Sequence, residues 1–108
     1  MVIVDTTVWI DLFSGKPSPE VQMLELLLLE GNDICLCGVI LTEVLQGIRE
    51  DKDYTKVLSG FDSFLFLDLN RRTFIKAAQI YRTLRRRGIT IRKSVDCMIA
   101  SVAIEHNI

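Results

Sequence analysis

Val2-Ile3-Val4-Asp5-Thr6-Thr7 opens the chain with three branched apolar residues, then an acid and two hydroxyls. Branched apolar side chains with no alternating polar partner suit a short strand covered on both faces, the pattern of a parallel sheet wrapped by helices. A strand that ends in Asp5 delivers a carboxylate to the carboxyl edge of such a sheet, where open α/β folds gather their ligand chemistry. Thr6 and Thr7 can cap the helix that follows. That helix carries Val8, Trp9, Leu12 and Phe13 before Ser14-Gly15 and the Pro17/Pro19 turn end it.

The same alternation continues outward. Ser18 is a good N-cap, with Pro19 at the first helical position and a Leu-rich helix over residues 20–30 stopped by Gly31-Asn32. The Leu26 to Leu29 run covers most of that helix's circumference, so part of it is expected to meet a neighbouring element or a second subunit. Residues 34–37 read as a second buried strand, and Gly38 leads into a helix over 39–49 with Leu41, Val44, Leu45 and Ile48 on one face. A helix over 53–61, a strand over 64–67 and a long helix over 71–87 follow. The long helix has Phe74, Ala77, Ala78, Tyr81 and Leu84 in register and is closed by Gly88. Residues 89–93 form a loop, Ser94 caps a last helix over 95–106, and Asn107-Ile108 can start one more strand. The expectation is a single domain, residues 1–108, of α/β class: a three-layer α/β/α arrangement around a mainly parallel central sheet.

Composition excludes several classes. With 49% hydrophobic and 25% charged residues in 108, the chain has the apolar content of a folded domain rather than of a disordered segment. Its longest charge-free stretch, Ile34 to Thr42, is far short of the ~20 residues that cross a bilayer, and no basic region followed by an apolar one marks a secretion signal. Three cysteines, an odd number, do not make a disulfide framework, so a reducing cytoplasm is expected. Cys35 and Cys37 fall on one face of a strand with Cys97 distant, and read as buried thiols rather than zinc ligands.

The net charge of −1 hides an uneven distribution. Residues 1–68 hold 12 acids against 4 bases, whereas residues 69–95 contain no acid and 9 of the 13 Lys and Arg. Arg85, Arg86, Arg87, Arg92 and Lys93 are the candidates for holding phosphates; a solvated cationic helix end is the plain alternative for the first three.

Asp5 at a strand end, Glu43 near the start of the helix after the second strand and Asp96 in the first turn of the last helix can converge on one rim. Two such charges ~4 Å apart repel by about 4 kcal/mol at an effective dielectric of 20, so a cation or a raised pKa must relieve them. An all-oxygen site suits a hard ion such as Mg²⁺ or Mn²⁺, and carboxylate-held divalent ions perform phosphoester hydrolysis. Each acid also has an ordinary reading: a helix cap for Asp5, a solvated helix acid for Glu43, and a helix-dipole partner for Asp96.

Three segments, residues 2–11, Thr42-Glu43-Val44-Leu45-Gln46-Gly47 and Ser94-Val95-Asp96-Cys97-Met98-Ile99-Ala100, stand in the order and spacing of the PIN-domain ribonucleases. Over essentially its whole length the chain resembles the VapC-type toxins of toxin–antitoxin pairs. The resemblance implies a Mg²⁺- or Mn²⁺-dependent endoribonuclease acting on RNA such as tRNA or rRNA and restrained by a VapB-like antitoxin. It implies Asp5, Glu43 and Asp96 as metal-binding acids and Thr7 as the supporting hydroxyl; composition and the Leu-rich helix add the expectation of a cytoplasmic homodimer with no membrane association. Family members usually continue into a further strand and a loop bearing a fourth acid, whereas this sequence stops at Ile108. Either the chain is C-terminally truncated or its domain works with three ligands.

Two other functions compete. A haloacid-dehalogenase-like phosphatase also places its nucleophile after an apolar strand, but needs a second acid where this chain has Thr7. A catalytically impaired PIN-like module that binds RNA or the antitoxin is the other.

Overall fold

The computed structural model describes residues 1–108. Three strands, β1 (Val2–Ile3), β2 (Ile34–Cys37) and β3 (Leu65–Leu67), form one parallel sheet in the order β1-β2-β3. Val2 pairs with Ile34 and Cys35 with Leu65, so β2 is central. All four of its residues are buried, which is why it reads as an unbroken apolar run. The crossovers are helical: α1 (Thr6–Phe13) and α2 (Pro19–Leu29) join β1 to β2, and α3 (Gly38–Gln46) and α4 (Asp51–Phe61) join β2 to β3. The long α5 (Arg71–Arg86) then turns back into α6 (Ser94–Glu105), and the two pack along one another.

The core lies where α1, α3 and α4 meet β2. Trp9, only 1% exposed, is its largest member, stacked edge-on to Phe61 at 5.1 Å and beside Phe64 at 5.4 Å, with Leu24, Leu36, Ile40 and Val44 around them. Such aromatic pairs add about 0.5–1.5 kcal/mol beyond their buried area. The Trp9 indole N–H has no hydrogen-bond partner.

The second packing unit is polar at its centre. The Thr73 N–H donates to Asn70 Oδ1 and the Asn70 N–H to Thr73 Oγ1, both at 3.2 Å, closing a capping box at the start of α5. The Thr73 hydroxyl also reaches Glu105 Oε2 at 3.0 Å, and Ser101 Oγ donates to the Thr73 carbonyl at 2.9 Å. Both Thr73 and Ser101 are fully buried, so these bonds fix how α6 lies on α5.

Helix ends follow local chemistry, with some corrections. Ser18 caps α2 as expected, accepting from the Val21 N–H at 3.0 Å. Gly88, at φ +79°, closes α5 with its N–H on Arg85 O and the Ile89 N–H on Leu84 O. Asn107-Ile108 is not a strand. Asn107 adopts φ +57° and the Ile108 N–H donates to Ala103 O at 2.8 Å, so the segment is the C-terminal cap of α6. Ser94 is the first residue of α6 rather than its cap, the cap position being Lys93, with no side-chain bond. Helix α4 starts at Asp51, two residues before its expected start. The face read on α5 is only partly core: Ala77 is buried, but Phe74 and Ala78 are exposed.

Candidate active site

Because β1 and β2 are parallel, the start of α1 and the start of α3 lie at the same edge of the sheet. Asp5 ends the first of these connections and Glu43 sits in the second turn of α3. The two are joined through Thr6, whose buried hydroxyl donates to Glu43 Oε1 at 2.7 Å. A carboxylate that is half-buried must keep a donor, and Thr6 supplies it across 37 residues of sequence. Asp5 stands at the N-cap position of α1, yet its side chain makes no capping bond. It accepts instead from Thr7 Oγ1 at 3.1 Å. A capping role therefore does not account for the Asp5 carboxylate, which stays exposed at the sheet edge.

Asp96 lies in the first turn of α6, exposed, and α6 packs against α3. Its neighbour Val95 lines the same cavity as Glu43. The structure thus brings Asp5 and Glu43 together through Thr6 and sets Asp96 on the neighbouring helix, but no three acidic, His or Cys side chains stand close enough to grip one ion. The chemistry of the donor set fits a hard cation, since it is all oxygen and both Asp5 and Asp96 are exposed.

Two hydroxyls, rather than one, support these acids. Sequence reasoning singled out Thr7, which does bond Asp5, and passed over Thr6, which holds Glu43. The available signal was helical phase: position 6 starts α1 and points inward, as Trp9 does three residues on. Thr7 also stands where the phosphatase mechanism requires an acid, and its hydroxyl is engaged by Asp5.

The expected phosphate-binding cations are all exposed. Arg85 and Arg86 fall in the last turn of α5, where the helix dipole favours them, and the Arg85 guanidinium lies 5.7 Å over the Tyr81 ring. Arg92 and Lys93 lead directly into the turn that carries Asp96. All three cysteines are free and buried. Burial pushes the Cys35 thiol up, partly offset by the chain's amino terminus, and burial followed by the Asp96 charge pushes Cys97 up.

A separate apolar groove of about 750 Å³ runs between α1, α3 and α4, with Trp9, Phe13, Leu28, Val57 and Phe61 in its wall. No helix is long and apolar enough to cross a membrane.

A parallel sheet wrapped by helices, with carboxylates at its carboxyl edge, is the architecture of the PIN domain, and the chain belongs to that family: the PIN domain model matches residues 2–108. Its relatives place it with the VapC-type members. It is 36% identical over 110 residues to the VapC ribonuclease Mb1587 of Mycobacterium bovis and to ribonuclease VapC11 of Mycobacterium tuberculosis, covering 98% of this chain and 81% of each relative. The fold also matches the crystal structure of VapBC2 from Rickettsia felis bound to a DNA fragment from their promoter. That match has a TM-score of 0.75 and 21% identity, over 97% of this chain and 80% of that one.

Proposed function

We propose that this chain is the toxin of a toxin–antitoxin pair, an endoribonuclease that uses Mg²⁺ or Mn²⁺ to hydrolyse phosphodiester bonds in RNA, with tRNA or rRNA as the substrate class. The observation that carries the reading is the Thr6–Glu43 hydrogen bond beside Asp5, an acid pair held at the sheet edge in a chain 36% identical to VapC ribonucleases.

Asp5, Glu43 and Asp96 would hold the ion, which when bound supplies charge neutralisation on the phosphate and a water of lowered pKa. Thr6 orients the Glu43 carboxylate, and Thr7 does the same for Asp5. Arg92 and Lys93, with Arg85, Arg86 and Arg87 across the turn, hold the RNA backbone against the acidic edge. The antitoxin has a matching surface in the apolar groove, whose wall carries the exposed side chains of Phe13 and Leu28.

Incubation of the purified protein with total tRNA and rRNA plus Mn²⁺ tests the reading. Cleavage that EDTA stops and Asp5→Asn abolishes supports it. Cleavage that persists in EDTA rules out the metal, and RNA binding with no cleavage in any version supports a binding module instead.

A further inference from the structure

The cavity on the other side of Glu43 has features that phosphate chemistry does not use. It measures about 550 Å³, within the ~300–1,000 Å³ range of small-molecule sites, and Glu43, Gln46, Phe66, Phe74 and Val95 are in its lining. Phe66 is 52% and Phe74 46% exposed, two phenyl rings left in water by a fold that buries Trp9 almost completely. Phe66 belongs to the edge strand β3, and its Cζ lies 3.8 Å from where a Cβ on Gly38 would stand, so the ring rests against the start of α3. Phe74 stands beside the buried line of α5, which runs through Thr73 and Ala77, and so is left exposed.

We propose that this cavity is a nucleobase pocket: Phe66 and Phe74 stack an unpaired base of the RNA beside the phosphate to be cut, and the Gln46 amide reads the base edge. The proposal rests on the ribonuclease reading and names how that site would select its substrate. Three relationships argue for a base as occupant. Glu43 is shared between the acidic edge and the cavity, so a bound base lies next to the site of hydrolysis. Gln46, one turn beyond Glu43 on α3, carries donors and an acceptor on one planar group, the chemistry that reads a base edge. Exposed cations precede two of the lining residues in sequence, Arg71 and Arg72 before Phe74 and Arg92 and Lys93 before Val95, and a backbone-tracking site needs such charges nearby.

Stacking one base on an aromatic side chain changes affinity by roughly 5- to 150-fold. The test uses the full chain carrying Asp5→Asn and measures fluorescence anisotropy with labelled oligouridylate, oligoadenylate and an abasic oligomer, alongside light scattering. Phe66→Leu and Phe74→Leu keep apolar bulk and remove the aromatic face. Each is expected to weaken binding of the base-containing oligomers by about tenfold and leave abasic binding unchanged, while Phe66→Tyr restores affinity. Equal affinities in the Leu variants, with cleavage by the wild-type chain intact, overturn the pocket and leave the ribonuclease reading standing. Loss of a dimer in Phe66→Leu with no effect on RNA assigns the face to a second copy and also overturns it. A wild-type chain that neither binds nor cuts RNA removes both readings together.

Discussion

Thr6 Oγ1 stands 2.7 Å from Glu43 Oε1, a hydrogen bond from the first turn after β1 to the second turn after β2. It is the one side-chain bond that ties the two sheet-edge connections to each other, and it determines where the Glu43 carboxylate sits.

Thr6→Val keeps the shape of this buried side chain and removes the donor. A hydrogen bond to a charged group is worth roughly 1.5–3 kcal/mol, so urea denaturation is expected to show a loss of about that size. Cleavage should fall together with metal affinity. Unchanged stability and activity would show that Glu43 needs no positioning.

The buried Thr73 network predicts a loss of stability alone. Thr73→Val breaks the capping box and the bond to Glu105, and is expected to destabilise the fold by about 1–3 kcal/mol in urea. Metal affinity measured under folding conditions should be unaltered, because these bonds set the α5–α6 packing rather than the acids.

Cys35 and Cys97 have thiols raised by burial. Between the unfolded thiol pKa of roughly 8.5 and the higher folded value, the native state holds more protons than the unfolded state, so stability falls as pH rises. Chemical denaturation is expected to show full thiol-linked stability below about pH 8 and a decline above it. Cys35→Ala/Cys97→Ala should flatten that decline. Alkylation of the native protein should be slow and that of the denatured protein fast.

Leu28 lies in the wall of the apolar groove and is partly exposed, so Leu28→Glu can be made with little effect on folding. It is expected to weaken neutralisation by the antitoxin tenfold or more, about 1.4 kcal/mol, while RNA cleavage by the free toxin is retained. Equal neutralisation of wild type and variant would place the antitoxin elsewhere.

Much of the fold was legible because it rests on local rules. The Ser18-Pro19 helix start and the Gly88 stop each have one physical solution, and the structure adopts it; the apolar run before Asp5 does form a strand, but as the half-buried edge strand β1 rather than one covered on both faces. The misreadings lie where a local pattern has two solutions. Asn107-Ile108 was short enough to read as strand or cap, and the α6 backbone decides for the cap. Phe74 shares the period of Ala77, but the buried line on α5 runs through Thr73 and Ala77, so the ring is left outside. Within the site, the sequence places Asp5 and Glu43 near one sheet edge but does not tell how close Asp96 comes, and the three acids do not cluster; the choice between Thr6 and Thr7 as the support of Glu43 depends on a contact 37 residues away.

Whether Asp5, Glu43 and Asp96 serve a single divalent ion is decided by Mn²⁺ titration of the purified chain, read by calorimetry or by electron paramagnetic resonance. One Mn²⁺ is expected per chain, with affinity falling at least tenfold in each of Asp5→Asn, Glu43→Gln and Asp96→Asn. Mn²⁺ affinity that is the same in all three variants as in the wild type would contradict it.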